Sequence, residues 1–141
     1  MPVPRRLAIE ILASRTLLRP ADLERSRRFY RDILGLEIFR EYGDPADPGV
    51  VFFLGGGYLE LAHGPEQESA PAAAAAMSLW LQVRDVASEH RRLAALDVPI
   101  RREPRREPWG LIEMWLADPD GVSIVLVEVP DDHPLRRDTR T

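Results

Sequence analysis

The side chains of this 141-residue chain that could carry chemistry are carboxylates and a few histidines, because cysteine is absent. Without thiols the chain has neither disulfides nor a cysteine nucleophile, and a metal site would need histidine and carboxylate ligands. The histidines are scattered over a strand end, a helix and the tail, at His63, His90 and His133. His63 and Glu60 are an odd number of residues apart, so a strand sends them to opposite faces and they form no metal pair.

Glu60 and Glu113 are the other pair of side chains that could take part in a reaction. Two carboxylates can act as general acid and base in metal-free proton transfer. The sequence supplies no nucleophile and does not define the separation of the two carboxylates, so structural roles are favoured and no catalytic residue is predicted. The glycines at 55–57 are predicted to form a turn, because no helix follows them to present backbone N–H groups to a phosphate.

The predicted strands and helices that would position these side chains occur in the same order in two successive parts of the chain. A strand is predicted at 15–19, and a helix then begins after the N-cap Asp22 and ends at Gly35. A strand at 37–42 and a hairpin of strands at 50–54 and 57–62 complete the first unit.

A predicted linker at 64–76 leads into the second unit, in which Asp85 caps a helix at 86–96. Its strands are predicted at 78–83, 100–105, 111–117 and 122–129, with a turn at Asp-Pro-Asp-Gly. Aligning the two caps gives an offset of 63 residues, which places Arg15 on Ser78, Leu17 on Trp80 and Arg19 on Gln82. The sequence therefore predicts a duplicated strand-helix-strand-strand-strand unit.

Three stretches of the sequence are similar to motifs of a known protein family. They are 22–36 (Asp-Leu-Glu-Arg-Ser-Arg-Arg-Phe-Tyr-Arg-Asp-Ile-Leu-Gly-Leu), 58–61 (Tyr-Leu-Glu-Leu), and Trp109-Gly110 together with Asp-Pro-Asp-Gly at 118–121. In these stretches the chain resembles the glyoxalase/bleomycin-resistance/extradiol-dioxygenase superfamily. The resemblance implies an α+β fold of two tandem βαβββ modules, a mixed sheet cupped around a central pocket, and a homodimer. The domain would span 14–129 (modules 14–63 and 77–129), between an N-terminal extension at 1–13 and a polar tail at 130–141, which is either disordered or laid across a partner.

Catalytic members of that superfamily hold a divalent metal at four positions, which the resemblance places on Arg15, Glu60, Ser78 and Val125. Only Glu60 is a good ligand, since arginine stays protonated, valine has no donor atom and a serine hydroxyl is weak. No metal and no cofactor are therefore predicted. In their place we expect an ion pair between Arg15 and Glu60, because strand parity points both side chains to the pocket. If that pair were buried, removing one partner would cost ~3–5 kcal/mol. The alternative is an Arg15 that projects into solvent.

The remaining predicted ligand-binding residues follow from the resemblance and from strand parity. Arg19 falls where superfamily members contact an anionic part of the substrate, although a surface arginine before a proline is an equal alternative. Trp80 and Trp109 are expected at the pocket rather than in the core, and the face of Trp115 is left open. The others are Tyr58, Ser78, Gln82 and Glu113; Phe39 and Phe53 stay ambiguous.

The net charge of −4 argues against a nucleic-acid partner, because such binding relies on a positive surface. The longest uncharged stretch, 69–83, is shorter than the ~20 residues of a membrane-spanning helix, and the apolar run at 7–13 is short and interrupted by Glu10. A cytoplasmic protein without a membrane partner is expected. The predicted function is metal-independent binding of a small, partly aromatic organic ligand, such as a sequestered antibiotic. The alternatives are an enzyme of the same superfamily, against which the lost ligands argue, and a purely structural dimer module.

Overall fold

The computed structural model describes residues 9–43, 48–63 and 76–137, so nearly all of the predicted linker lies outside the described residues. The first module contains β1 (Arg15–Leu18), α1 (Leu23–Arg28) followed by a π-helical turn (Phe29–Ile33), β2 (Ile38–Tyr42), β3 (Gly49–Leu54) and β4 (Gly57–Ala62). The second contains β5 (Ser78–Gln82), α2 (Val86–Ala95), β6 (Arg102–Arg106), β7 (Ile112–Ala117) and β8 (Ser123–Glu128).

Each module forms a four-stranded sheet, and the strand order is the same in both: β1-β4-β3-β2 and β5-β8-β7-β6. The first strand of each module runs parallel to the last strand, and the other neighbours are antiparallel. The offset of 63 residues holds for the first strands, since Leu17 pairs with Glu60 and the equivalent Trp80 pairs with Val125, but the last strands are offset by 65 residues. The predicted α+β fold of two βαβββ modules is confirmed.

Both helices begin as the sequence predicts. The carboxylate of Asp22 accepts a hydrogen bond from the backbone N–H of Arg25 at 3.1 Å, and Asp85 accepts one from that of Ser88 at 3.2 Å. These bonds satisfy N–H groups that the first helical turn leaves without partners. Gly35 ends the first helix with a φ of 82°, which favours glycine. The π-helical turn at the end of α1 was not predicted, because the apolar spacing does not reveal it.

One side of each sheet packs against the helices, and the two packed sides join in a single apolar core. Fully buried side chains from both modules meet there, among them Tyr30, Phe52, Leu93 and Met114. Side chains alternate between the two sides of a strand. The opposite side of each sheet therefore points away from the shared core. We call these outward sides the module-one face (Arg15, Leu17, Phe39, Val51, Phe53, Tyr58 and Glu60) and the module-two face (Ser78, Trp80, Gln82, Glu113, Trp115, Val125 and Val127).

The described part of the tail is not disordered, and its contact with a partner stays a prediction. Residues Pro134–Arg137 form a 3₁₀ turn, and the Arg136 Nε donates to the carbonyl of Val129 at 2.7 Å. The imidazole of His133 lies 3.0 Å from the carbonyl of Trp109. This segment therefore packs on its own chain. In the described parts of the chain, no helix has the length and apolar character needed to cross a bilayer.

Candidate functional site

The predicted ion pair lies on the module-one face. The guanidinium of Arg15 donates to Oε1 of Glu60 at 2.7 Å, so the predicted contact is confirmed. It is not the buried pair that was considered, because 44% of the Arg15 side chain and 15% of the Glu60 side chain are exposed. Exposed ion pairs contribute little, on the order of 0–1 kcal/mol. The ~3–5 kcal/mol for breaking a buried pair does not apply to this chain on its own.

Tyr42 is a member of this site that the sequence did not reveal. Its hydroxyl donates to Oε2 of Glu60, so that each oxygen of this carboxylate has a donor. The hydrogen bond from Tyr42 is the largest cause of the lowered pKa of Glu60; burial opposes it, and Arg15 lowers the pKa further. The carboxylate is thus held in its ionised form.

A bulge in β2 explains why Tyr42 was missed. Ile38 pairs with Phe52 and Arg40 with Val51, so one residue is inserted and the alternation of side chains is reversed beyond it. Simple alternation from Ile38 would have placed Tyr42 toward the core. Gly49 lies opposite Tyr42, and a Cβ there would overlap the tyrosine ring. The glycine therefore makes the room in which Tyr42 reaches Glu60.

Three aromatic rings lie beside the ion pair on the module-one face. The centroids of Phe39 and Tyr58 are 4.9 Å apart, and Phe53 lies 5.1 Å from Phe39 and 5.9 Å from Tyr58. The Arg15 guanidinium lies 5.9 Å from the Tyr58 ring centroid. Phe39 and Phe53 remain 44% and 43% exposed. Exposed rings beside a guanidinium suit a flat ligand that carries negative charge.

The module-two face brings together most of the other predicted residues. Val125 lies between Trp80 on β5 and Trp115 on β7 in the strand register, which places Trp115 on this face. Trp80 is 49% exposed, whereas Val125 is buried. Ser78 and Gln82 flank Trp80 on the same side of β5, and both are exposed.

Glu113 and Trp109 also contact each other at this face. The indole N–H of Trp109 donates to Oε2 of Glu113 at 2.8 Å, and the carboxylate is largely buried although the tryptophan is 57% exposed. Nearby, the buried Glu107 accepts from the guanidinium groups of Arg102 and Arg105. Burial raises the pKa of Glu107, but these two arginines bring it below its ordinary value.

The four positions that the resemblance assigns to a metal do not suit a divalent cation. The Arg15 guanidinium is a fixed positive charge, Val125 has no donor atom, and both oxygens of Glu60 already accept hydrogen bonds. Among the described residues, no three histidine or carboxylate side chains cluster in a way that could hold a metal ion. The donor chemistry of these positions thus differs from that of a metal centre.

The structure does not bring all predicted residues to one place within a single chain. Arg15, Tyr58 and Glu60 lie on the module-one face, whereas Ser78, Trp80, Gln82, Glu113 and Trp115 lie on the module-two face. Arg19 follows β1, is exposed, and contacts no side chain within the described ranges through a hydrogen bond or ion pair. The two faces both point away from the shared core.

The fold and the duplicated sheets define a class of two-module α+β proteins with outward-facing sheet surfaces. The model of the Glyoxalase/Bleomycin resistance protein/Dioxygenase superfamily matches residues 13–126, and the chain belongs to this superfamily. Lactoylglutathione lyase of Salmonella typhimurium is 30% identical over 123 residues, which is 82% of this chain and 91% of that protein.

Solved structures agree with this assignment. The structure of lactoylglutathione lyase from Agrobacterium tumefaciens has a TM-score of 0.64 and 26% identity, and it covers 89% of this chain and 96% of its own. TnmS3, an antibiotic binding protein from Streptomyces sp. CB03234, has a TM-score of 0.67 and covers 88% of this chain and 99% of its own. At 21% identity, the second likeness shows the fold alone.

Proposed function

We propose that the protein binds a small, partly aromatic organic ligand without a metal, and that it sequesters an antibiotic or a similar natural product. The observation that carries this proposal is the Arg15–Glu60–Tyr42 network on the module-one face. The network has a guanidinium at a position that the resemblance assigns to a metal ligand in catalytic members of the superfamily. A fixed cation in that place repels a metal ion and attracts an anionic group of an organic ligand.

The aromatic side chains of both faces support the ligand class. Small-molecule sites are largely apolar with a few placed polar groups. Phe39 and Phe53 offer exposed ring surface beside the half-buried Tyr58 on one face, and Trp80 offers it on the other. Stacking adds ~0.5–1.5 kcal/mol per aromatic pair beyond the burial of apolar area. In this proposal Arg15, Arg19, Glu60, Ser78 and Gln82 orient the ligand, and Trp109, Glu113 and Trp115 form a wall.

We include a homodimer in the proposal, with the ligand between the module-one face of one protomer and the module-two face of its partner. Leu17, Phe39, Phe53 and Trp80 are each more than 40% exposed, on sheet faces that point away from the shared core. Apolar surface gathered in this way commonly marks an association site. We propose no nucleic-acid partner, because a chain with a net charge of −4 does not offer the positive surface that such binding needs, and a cytoplasmic location without a membrane partner completes the proposal.

A superfamily enzyme is the second candidate, and one observation favours it. The 30% identity to a lactoylglutathione lyase extends over most of both chains. Such an enzyme would need metal-independent chemistry or ligands other than the four positions considered above. A third possibility, a structural dimer module, predicts no affinity for small molecules.

Elemental analysis and ligand binding separate these functions. We expect purified protein to hold far less than one equivalent of zinc, nickel, manganese or iron. Anthraquinone-2-carboxylate, a planar anion, is expected to quench tryptophan fluorescence. Tyr58→Ala should weaken its binding about 10-fold, through the loss of burial and stacking, and Arg28→Gln, on an exposed part of α1, serves as the control. Stoichiometric metal together with lyase activity would establish the enzyme instead. If no compound in a library of planar natural products quenched the tryptophan fluorescence, the structural module would be favoured.

A further inference from the structure

The two modules meet at two junctions that the internal repeat makes equivalent. At the first, the link between β7 and β8 closes over the start of α1. The Asp120 carboxylate lies 3.4 Å from the backbone N–H of Ala21 and 3.4 Å from the hydroxyl of Ser26, and both donate to it. The same carboxylate lies 3.7 Å from the Arg25 guanidinium. This junction is therefore filled by the chain's own acidic link.

The second junction has a much shorter link. Strands β3 and β4 are joined by two residues, Gly55 and Gly56, whereas residues 118–122 join β7 to β8. The offset of 63 places Ala21 on Arg84 and Ser26 on Glu89, so the start of α2 faces the short link. A cavity of about 790 Å³ lies between them. Because the β3–β4 link is shorter than the β7–β8 link, it does not fill the volume that Asp120 and its neighbours occupy at the first junction.

The cavity has an apolar lining and a basic rim. Its aliphatic residues are Leu34, Leu36, Leu54, Leu81, Val83 and Leu126, and its charged residues are Arg84, Arg92, Arg136 and Glu89. Three arginines against one glutamate leave this region positive in a chain whose net charge is −4. A volume of this size is typical of sites for small organic ligands.

The arginines of the rim differ in how they are held. Arg92 donates to the carbonyls of Ile33 at 2.7 Å and Leu34 at 3.3 Å and pairs with Glu89 at 2.9 Å, so its position is fixed between the modules. The Arg136 Nε donates to Val129. Arg84 forms no hydrogen bond or ion pair with another residue of the described ranges, although it lines the cavity. None of its five N–H donors is used by another described residue, whereas all three nitrogens of the Arg92 guanidinium are engaged and Arg136 has used its Nε.

We propose that this cavity is a second binding site and that it takes an amphipathic anion, a small carboxylate or sulfonate with an apolar body. The anionic group replaces the carboxylate that Asp120 supplies at the equivalent junction, and Arg84 donates to it. The apolar body lies on the leucines. The site is distinct from the Arg15–Glu60 network, and it shares with the proposed ligand site only the margin formed by Trp80 and Gln82.

Octanoate and octanol test the proposal, because they share a chain length and differ in charge. In isothermal titration calorimetry on the full chain, we expect octanoate to bind at least ~10-fold more tightly than octanol, because only the carboxylate of octanoate forms a charge-assisted hydrogen bond with Arg84. Arg84→Gln should remove that preference. Arg28→Gln, an exposed arginine outside the cavity, should keep it. Equal binding of both compounds, or an unchanged preference in Arg84→Gln, would overturn the proposal.

A cavity-filling variant provides an independent check. A Cβ at Gly56 meets no atom within 4 Å, and its φ is outside the left-handed region, so Gly56→Phe is expected to fold and to occupy the cavity. Gly56→Phe should abolish octanoate binding. In the wild-type protein, octanoate should shift the amide resonances of Gly55, Gly56 and Arg84. Tyr58→Ala should leave octanoate affinity unchanged while it weakens anthraquinone-2-carboxylate. Octanoate shifts centred on Phe53 and Tyr58 would instead assign the anion to the module-one face.

Discussion

A single charge at position 15 determines what the module-one face can hold. The guanidinium of Arg15 binds Glu60 and lies near the Tyr58 ring, so it connects the carboxylate to the aromatic surface. Glu60 is held from its other side by Tyr42. The carboxylate stays ionised and is satisfied by protein donors, which leaves the remaining donors of Arg15 for a ligand.

The first residue-level prediction concerns Tyr42. In Tyr42→Phe the pKa of Glu60 should rise toward its ordinary value, because the strongest of its stabilising hydrogen bonds is lost. A carboxyl with a lowered folded pKa contributes stability above the unfolded pKa, and this stability is lost as the pH falls through the folded pKa. The variant should therefore lose less stability on acidification than the wild type. A carbon-13 titration of the Glu60 carboxyl measures the shift, and an unchanged pKa would contradict it.

Gly49→Ala gives the same prediction without removing the hydroxyl. The added Cβ would overlap the Tyr42 ring, so the ring must move away from Glu60. The pKa of Glu60 is expected to rise as in Tyr42→Phe. Gly56→Ala is the matched control, since a Cβ there meets open space. A Gly49→Ala protein with the wild-type Glu60 pKa would show that the glycine has no part in placing Tyr42.

A third prediction concerns the strength of the ion pair. Arg15→Met should reduce the free energy of unfolding of the free chain by no more than about 1 kcal/mol, because the arginine is nearly half exposed. Urea denaturation measures this change. A loss of several kcal/mol would show that the pair is buried in solution, as it would be within an assembly that covers the module-one face.

Much of this site follows from the sequence, and the parts that do not have a physical reason. Arg15 and Glu60 meet because strands β1 and β4 are regular, so parity predicts which side each residue takes. Tyr42 could not be predicted, because one inserted residue in β2 reverses the parity beyond it. Trp115 was undecided since nothing in the sequence alone gives the register of β7 against β8.

At the level of elements, the features that depend on local sequence could be predicted, whereas the features that depend on tertiary packing could not. The caps Asp22 and Asp85 and the glycine at the end of α1 each act within one turn of chain, so their residue types suffice. The fold-back of the tail depends on contacts with Trp109 and Val129, which are distant in sequence. The cavity beside Gly55 and Gly56 depends on how the two modules pack, and the sequence predicts only a turn there.

The contact between the π-helical turn that follows α1 and the β7–β8 link carries an element-level prediction. The buried hydroxyl of Tyr30 donates to Asp118 at 2.8 Å, while the other oxygen of Asp118 accepts from the backbone N–H groups of Asp120 and Val122. Tyr30→Phe keeps the ring in the core and removes this hydrogen bond. We expect the free energy of unfolding to fall by ~1.5–3 kcal/mol, as for a hydrogen bond to a charged group. Urea denaturation measures it.

The pH dependence of this variant gives a second measure. Burial raises the pKa of Asp118, and the Tyr30 hydrogen bond is the main effect that opposes the rise. A carboxyl with a raised folded pKa makes the protein more stable as the pH falls through that pKa. Without the Tyr30 hydroxyl the pKa should rise further, so the loss of stability in Tyr30→Phe should shrink toward acid pH. A loss that is the same at acid and neutral pH would show that Asp118 is not the partner that matters.

At the scale of the whole molecule, the back-to-back arrangement of the modules governs the site. The inner sides of both sheets are used by the shared core, which leaves the aromatic residues and the ion pair on outward faces. A pocket lined by both faces therefore needs two chains, and a symmetric dimer would form two such pockets. The dimer and the ligand site are one prediction in this geometry.

Leu17 gives the sharpest test of that dimer, since it lies on β1 within the module-one face and is 42% exposed. Burying the part of the Leu17 side chain that is exposed in the free chain contributes about 1 kcal/mol. A dimer with two-fold symmetry buries two copies of this side chain, so Leu17→Gln should weaken the dimer at least ~10-fold. Leu96→Gln is the control, because Leu96 is 50% exposed at the end of α2, outside both faces. Sedimentation equilibrium gives the dissociation constants, and a thermal midpoint that rises with wild-type concentration gives an independent measure. A wild-type chain that stays monomeric at every concentration, or equal weakening by both substitutions, would contradict a pocket shared between two protomers.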